Sequence, residues 1–172
     1  MNDTGRLLRH FLAALAYRTH KALRDAPPDF GRFRAMENVR TPMELVRHMT
    51  SVLGYARSCF EGRHDPLDPL PSLEEEVIRF QGALQSLALH LERGTALQGE
   101  LSIEQLLQGP FSDAMTHAGQ LALLRRLADA PVAPENFIVA DVSPGRLGPD
   151  QALPNSPDRE WPEAPPGWTR SN

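Results

Sequence analysis

The placement of proline constrains this chain more than any other feature. None falls between Ser72 and Gly109, whereas nine of the sixteen lie in residues 131–172. Proline removes a backbone donor and clashes with the preceding helical turn. The front of the chain is therefore open to long helices, and its end is not. A length of 172 residues suffices for one domain with a substantial core but is short for two. Apolar residues at 41% and charged residues at 23% fit an ordinary soluble globular protein and exclude wholesale disorder. No apolar run approaches the ~18–20 residues a membrane-spanning helix needs. A single cysteine, Cys59, excludes an internal disulfide and a Cys-rich zinc module. The start, Met1 to Tyr17, makes a poor secretory signal, because it carries Asp3 and its apolar run continues into Arg18 and Lys21. These features predict a cytoplasmic protein.

Helical periodicity and capping residues predict four long segments. The first spans about Gly5 to Arg24, with Leu7, Leu8, Phe11, Leu12, Leu15 and Leu23 at helical spacing, and Pro27-Pro28 ends it. The second opens at Thr41-Pro42-Met43-Glu44, a capping box with proline at the first helical position, and closes near Gly62. Its inward stripe reads Leu45, His48/Met49, Val52, Ala56 and Cys59/Phe60. The third opens at Ser72-Leu73-Glu74-Glu75, a second capping box. It runs through Val77, Ile78, Leu84, Leu87 and Leu91 to Gly94. A short start at Ser102 is interrupted by Gly109-Pro110. The last helix then covers about Phe111 to Ala128, with Asp113, His117, Gln120/Leu121, Leu124 and Leu127 on one stripe.

No alternating strand pattern precedes residue 136, so the expectation is an all-α four-helix bundle over residues 1–130. Residues 131–172 form an irregular Pro-rich segment packed on it. Within that segment, Phe137-Ile138-Val139-Ala140 docks in extended form, and Trp161 and Trp168 pack on the surface.

The net charge of −4 is uneven: residues 1–63 carry +5 and residues 64–172 carry −9. The basic half mixes its charges with acids and lacks interleaved aromatics, which argues for a solvated surface and against nucleic acid.

The chemistry lies where polar residues interrupt apolar stripes. Asp113 and His117 stand four apart, one above the other on the inward face of the last helix. His48 shares the inward face of the second helix with Leu45 and Val52. Polar groups on such faces are costly unless paired or metal-bound. Two imidazoles and one carboxylate can bind a divalent transition metal and leave coordination positions open. The competing reading is a hydrogen-bonded Asp113–His117 pair with His48 satisfied in the core. No Glu follows the pattern of a His-Glu-x-x-His protease, and a di-iron site would need two Glu-x-x-His motifs, so any site is mononuclear. Cys59, near a helix end where the dipole does not activate it, reads as a buried structural thiol. His10, His20, His64 and His90 lack a partner at ligand spacing.

Several segments together resemble a known family. Arg40-Thr41-Pro42-Met43-Glu44-Leu45-Val46-Arg47-His48-Met49, then Asp113-Ala114-Met115-Thr116-His117-Ala118-Gly119-Gln120-Leu121 with Leu124-Arg125-Arg126-Leu127, are similar to the DinB-like (YfiT-like) metalloenzyme superfamily. Pro134 to Val142 and Gly145 to Pro149 resemble a subgroup of it, so the likeness covers about residues 5–151. The resemblance implies an up-down-down-up bundle, often a homodimer in bacteria, with one divalent metal between the second and last helices. Family ligands are typically three histidines. His48 and His117 match two of them, and Asp113 replaces the third, which leaves zinc, nickel, manganese and iron(II) undistinguished. Members of the family include S-transferases that use low-molecular-weight thiols, so the resemblance implies a metal-dependent transferase or hydrolase with a thiol cofactor or other small-molecule substrate. In that setting Arg47, Arg125 and Arg146 are equal candidates for a substrate carboxylate, Glu44 serves the cap, and Gln120 orients a ligand or bound water. The alternative is a non-catalytic bundle that binds a small molecule or protein partner.

Overall fold

The computed structural model describes residues 3–154. Trp161 and Trp168, with the rest of residues 155–172, lie outside the described residues. The described chain is all-α. Its helices are α1 (Asp3–Leu23), α2 (Pro42–Glu61), α3 (Leu73–Arg93), α4 (Ile103–Leu106) and α5 (Ser112–Leu127).

Local chemistry sets the ends of these helices. At α2, Thr41 Oγ1 accepts the Glu44 N–H at 3.2 Å, and Glu44 Oε2 accepts the Thr41 N–H at 2.8 Å. The capping box is therefore complete, and it satisfies two donors a helix start otherwise leaves unpaired. Gly62 closes α2 at φ 73°, a left-handed conformation that glycine adopts without strain. At α3 only half of the expected box forms. Ser72 accepts the Glu75 N–H, but the Glu75 carboxylate turns to the Ser72 hydroxyl instead of its backbone. Gln105 completes a box with Ser102 at α4.

Each of the four long helices packs on two others: α1 on α3 and α5, and α2 on α3 and α5. Arg47 near the start of α2 pairs with Glu76 near the start of α3, and Glu61 at the end of α2 meets His90 near the end of α3. These two helices therefore run in the same direction. The core between the four is filled by Leu12, Leu15, Met49, Leu53, Leu84, Leu87, Phe111 and Leu121, all essentially buried. Three residues expected on inward stripes face solvent instead: Leu7, Ile78 and Leu127. The buried face of α3 is set by Glu76, Phe80, Leu84 and Leu87, a row that leaves Ile78 off to one side.

The junction between α4 and α5 is a π-helical turn, Leu107–Phe111, in which Gly109 leaves helical geometry (φ −89°, ψ −106°) one residue before Pro110. Phe111 is fully buried and seats the start of α5.

Residues 131–154 lie along α1 and α3. The Tyr17 hydroxyl donates to Glu135 Oε1 at 2.6 Å, and Arg24 donates to the carbonyls of Gln151 and Ala152. Leu147 is buried beside Ala16, Val77 and Phe80. Phe137–Val139 is a 3-10 turn and not an extended run, because the Asn136 side chain accepts the Ile138 N–H and curls the backbone. Phe137 docks under the Arg18 guanidinium, 3.7 Å from the ring centre, while Ile138 is exposed.

Candidate metal centre

α2 and α5 pack together so that the second turn of one faces the first turns of the other. His48 follows Leu45 and precedes Met49 and Val52 on the side of α2 turned toward α5. On α5, His117 lies between Ala114, Ala118 and Leu121, three buried residues that hold this face inward. The rings of His48 and His117 meet edge to face, with centroids 4.7 Å apart. Asp113, one turn before His117, completes the group. Its Oδ1 is 3.4 Å from His117 Nε2, and its Oδ2 is 3.8 Å from His48 Nε2. One ligand atom from each of the three residues falls within 4.8 Å of the others.

These separations are too long for hydrogen bonds within a closed polar cluster. They suit a shared ion better, since two donors held at ~2.1 Å by one tetrahedral metal stand about 3.4 Å apart. His117 supplies a sharper observation. Its Nδ1 is 2.9 Å from Gln120 Oε1, an atom that can only accept, so Nδ1 carries the proton. In the neutral tautomer that donates through Nδ1, Nε2 presents a lone pair, and it is buried without a hydrogen-bond partner among the described residues. A buried acceptor with nothing to accept is costly, and a cation would satisfy it. An imidazole oriented by a neighbour through its far nitrogen is the usual arrangement of a metal-binding histidine. The residues present therefore fit a divalent metal.

The electrostatics agree. Burial lowers the His48 pKa, and the nearby charge of Arg40 lowers it further, against a smaller opposing effect of Asp113. His48 is accordingly neutral at neutral pH and ready to donate a lone pair. Asp113 is half exposed and His48 a third exposed, so the group opens to solvent on one side. Two clefts flank it. One, about 600 Å³, reaches Asp113 between Ser51, Tyr55, His64 and Thr116. The other, about 530 Å³, reaches His48 between Arg40, Arg47 and Ser51. No residue of the 131–154 segment lines either.

All three ligands expected from the sequence are brought together, and Gln120 holds His117 as its spacing suggested. The arginines proposed for a substrate carboxylate are otherwise engaged. Arg47 Nε is 2.7 Å from Glu76, and Arg146 pairs with Asp141 at 2.6 Å. Arg125 is buried and donates to the carbonyls of Ala22, Arg24, Asp25 and Ala130, closing the C-terminal end of α1. Glu44 serves the α2 cap and also receives Arg34. Cys59 is buried, and burial raises its pKa, as befits an inert thiol. His90 stacks on Phe60 and meets Glu61, away from the group. Sequence reasoning missed Arg40, which lines the cleft at His48; its position just ahead of the Thr41 cap was the available signal.

Among the described residues no helix is long and apolar enough to cross a membrane. No protein-family model, curated protein or solved structure matches the chain.

Proposed function

We propose that this protein binds one divalent transition metal through His48, Asp113 and His117 and acts as a metal-dependent enzyme of the DinB-like kind. The observation that carries the reading is the buried, unpartnered Nε2 of His117, aligned by Gln120 and within ligand distance of a carboxylate and a second imidazole. The likeness of the Arg40–Met49 and Asp113–Leu121 segments to that superfamily supports it independently. A bound divalent ion would supply a Lewis acid that lowers the pKa of a coordinated thiol or water.

The chain's own residues prepare for this. Gln120 fixes the tautomer and direction of His117. Burial and Arg40 keep His48 unprotonated. The exposed side of Asp113 leaves approach room for a substrate. Three protein ligands with an open position are the pattern of catalytic rather than structural zinc sites. Within this class, S-transfer from a low-molecular-weight thiol is the reaction the resemblance favours, and a carboxylate in place of a histidine makes the site harder.

Elemental analysis of untagged protein purified without chelator tests the proposal. We expect about one transition metal per chain in wild type and strong depletion in His48→Ala and Asp113→Ala. A chain that stays metal-free after reconstitution with zinc, nickel, manganese and iron(II) overturns it and leaves a non-catalytic bundle. Loaded protein is then assayed for S-transfer with bacillithiol and mycothiol.

A further inference from the structure

A cleft of about 1020 Å³ adjoins the metal group without containing its ligands. Phe33, Leu45 and Leu124 form part of its wall. Met36, Leu123 and Leu127, exposed by 71%, 53% and 53%, are also in its lining. Exposed large apolar side chains scattered singly carry no message, but three gathered on one concave surface mark a ligand site. Leu127, which helical periodicity placed in the core, is thus on the wall of this cleft.

The polar part of the lining gives the ligand its sign. It includes Arg34 and Arg40 and no carboxylate. Arg34 is occupied by both oxygens of Glu44, each at 3.2 Å. No hydrogen bond or ion pair joins Arg40 to any other described residue. Arg40 also lines the cleft that contains His48. Gln120 lines the apolar cleft while its Oε1 bonds His117. One guanidinium unpaired among the described residues and two amides, Asn38 and Gln120, therefore stand where the apolar cleft meets the metal group.

We propose that this cleft binds an organic carboxylate with a medium-length apolar chain, the chain lying along Met36, Leu123 and Leu127 and the head group held by Arg40 beside the metal ligands. The planar guanidinium offers paired donors that match a carboxylate, and no acid lines the apolar cleft, while Glu37 and Glu44 line the adjoining cleft at His48 and Glu44 there is paired with Arg34. The inference rests on the metal-binding reading for the role of the carboxylate as substrate head group. The binding site itself does not depend on that reading.

Calorimetric titration of the full chain with octanoate, 1-octanol, octylammonium and acetate tests the proposal, with metal content measured on the same samples. Octanoate is expected to bind, and acetate and octylammonium are not. Arg40→Gln weakens octanoate at least about tenfold and leaves 1-octanol unchanged. Leu127→Asp, at an exposed position that does not threaten folding, weakens both. Three results overturn the inference: no octanoate binding, equal binding of octylammonium, or octanoate binding lost in His48→Ala but intact in Arg40→Gln. Metal-loaded protein that ignores octanoate refutes this inference alone. Protein that stays metal-free after reconstitution yet binds octanoate through Arg40 refutes only the metal reading.

Discussion

Arg47 and His48 are neighbours on α2, and each helps to build a polar cluster against a different helix. Arg47 reaches α3, where Glu76 is completely buried. Its Oε1 accepts Arg47 Nε at 2.7 Å and the Leu70 N–H at 3.0 Å, and its Oε2 accepts Arg79. His48 reaches α5, where no hydrogen bond joins it to His117 or Asp113, and His117 Nε2, 3.4 Å from Asp113 Oδ1, has no hydrogen-bond partner among the described residues. Burial by itself pushes the Glu76 carboxyl up, but these hydrogen bonds outweigh it and hold its pKa below the usual range. In the first cluster both oxygens of the Glu76 carboxylate are satisfied by the protein, although Arg79 Nε has no hydrogen-bond partner among the described residues, so the carboxylate needs nothing further once the chain has folded. The second leaves a buried acceptor open, and its completion must come from outside. Burial and charge are common to both, and satisfaction is what separates a structural tie from a binding site.

The contrast can be broken most forcefully at Glu76. Glu76→Ala leaves two guanidiniums facing a buried gap, and their partial exposure holds the expected loss to about 3 kcal/mol in urea unfolding. Metal content should not change. A loss near zero would remove the distinction.

The next effect is on the other cluster. Gln120→Leu frees His117 to change tautomer, and metal affinity should fall by about tenfold or more in competition with a chromogenic chelator. Folding stability of the metal-free protein should hardly move.

Acid separates the two clusters further. Because the folded pKa of Glu76 is lowered, its stabilisation is complete above the ordinary value of 4.5 and is lost as pH falls through the folded pKa. The wild type should therefore lose stability steeply below about pH 4.5, and Glu76→Gln should show a flatter acid limb in thermal melts. The smallest effect belongs to Asp113→Asn without metal. Asp113 is half exposed and makes no hydrogen bond, so the change in unfolding free energy should stay within about 1 kcal/mol. A larger change would show that Asp113 holds the fold together.

The long helices and most of their caps were legible because they depend on residues close in sequence: Thr41 with Glu44, Ser102 with Gln105, and the glycines after α2 and α3. The pair Asp113–His117 was legible for the same reason, since a helix places fourth neighbours side by side. Bringing His48 to them required the packing of α2 on α5, which spacing alone does not supply. Glu76 is the last of three acids in the first turn of α3, where a carboxylate also favours the helix dipole. Yet it stands four residues before Phe80 and eight before Leu84, on the buried row. Arg125 likewise stands four after Leu121. Both lay on inward stripes as openly as His48 did, but part of what satisfies them, the Leu70 N–H for Glu76 and the carbonyls at the end of α1 for Arg125, consists of backbone groups. Such groups carry no signature in side-chain type. The half-formed box at Ser72 and the 3-10 turn at Phe137 were decided by the direction a single side chain takes.

The π-helical turn at Leu107–Phe111 has a consequence for how this chain tolerates change in length. In an unbroken helix one inserted residue turns everything beyond it by about 100°. Here the helical path between α4 and α5 is already broken at Gly109-Pro110. The azimuth of α5 is fixed locally by Phe111, Ala114, Ala118 and Leu121 in the core, not inherited from α4. One residue inserted ahead of Phe111 should therefore leave Asp113 and His117 facing His48, which metal content of the insertion variant checks.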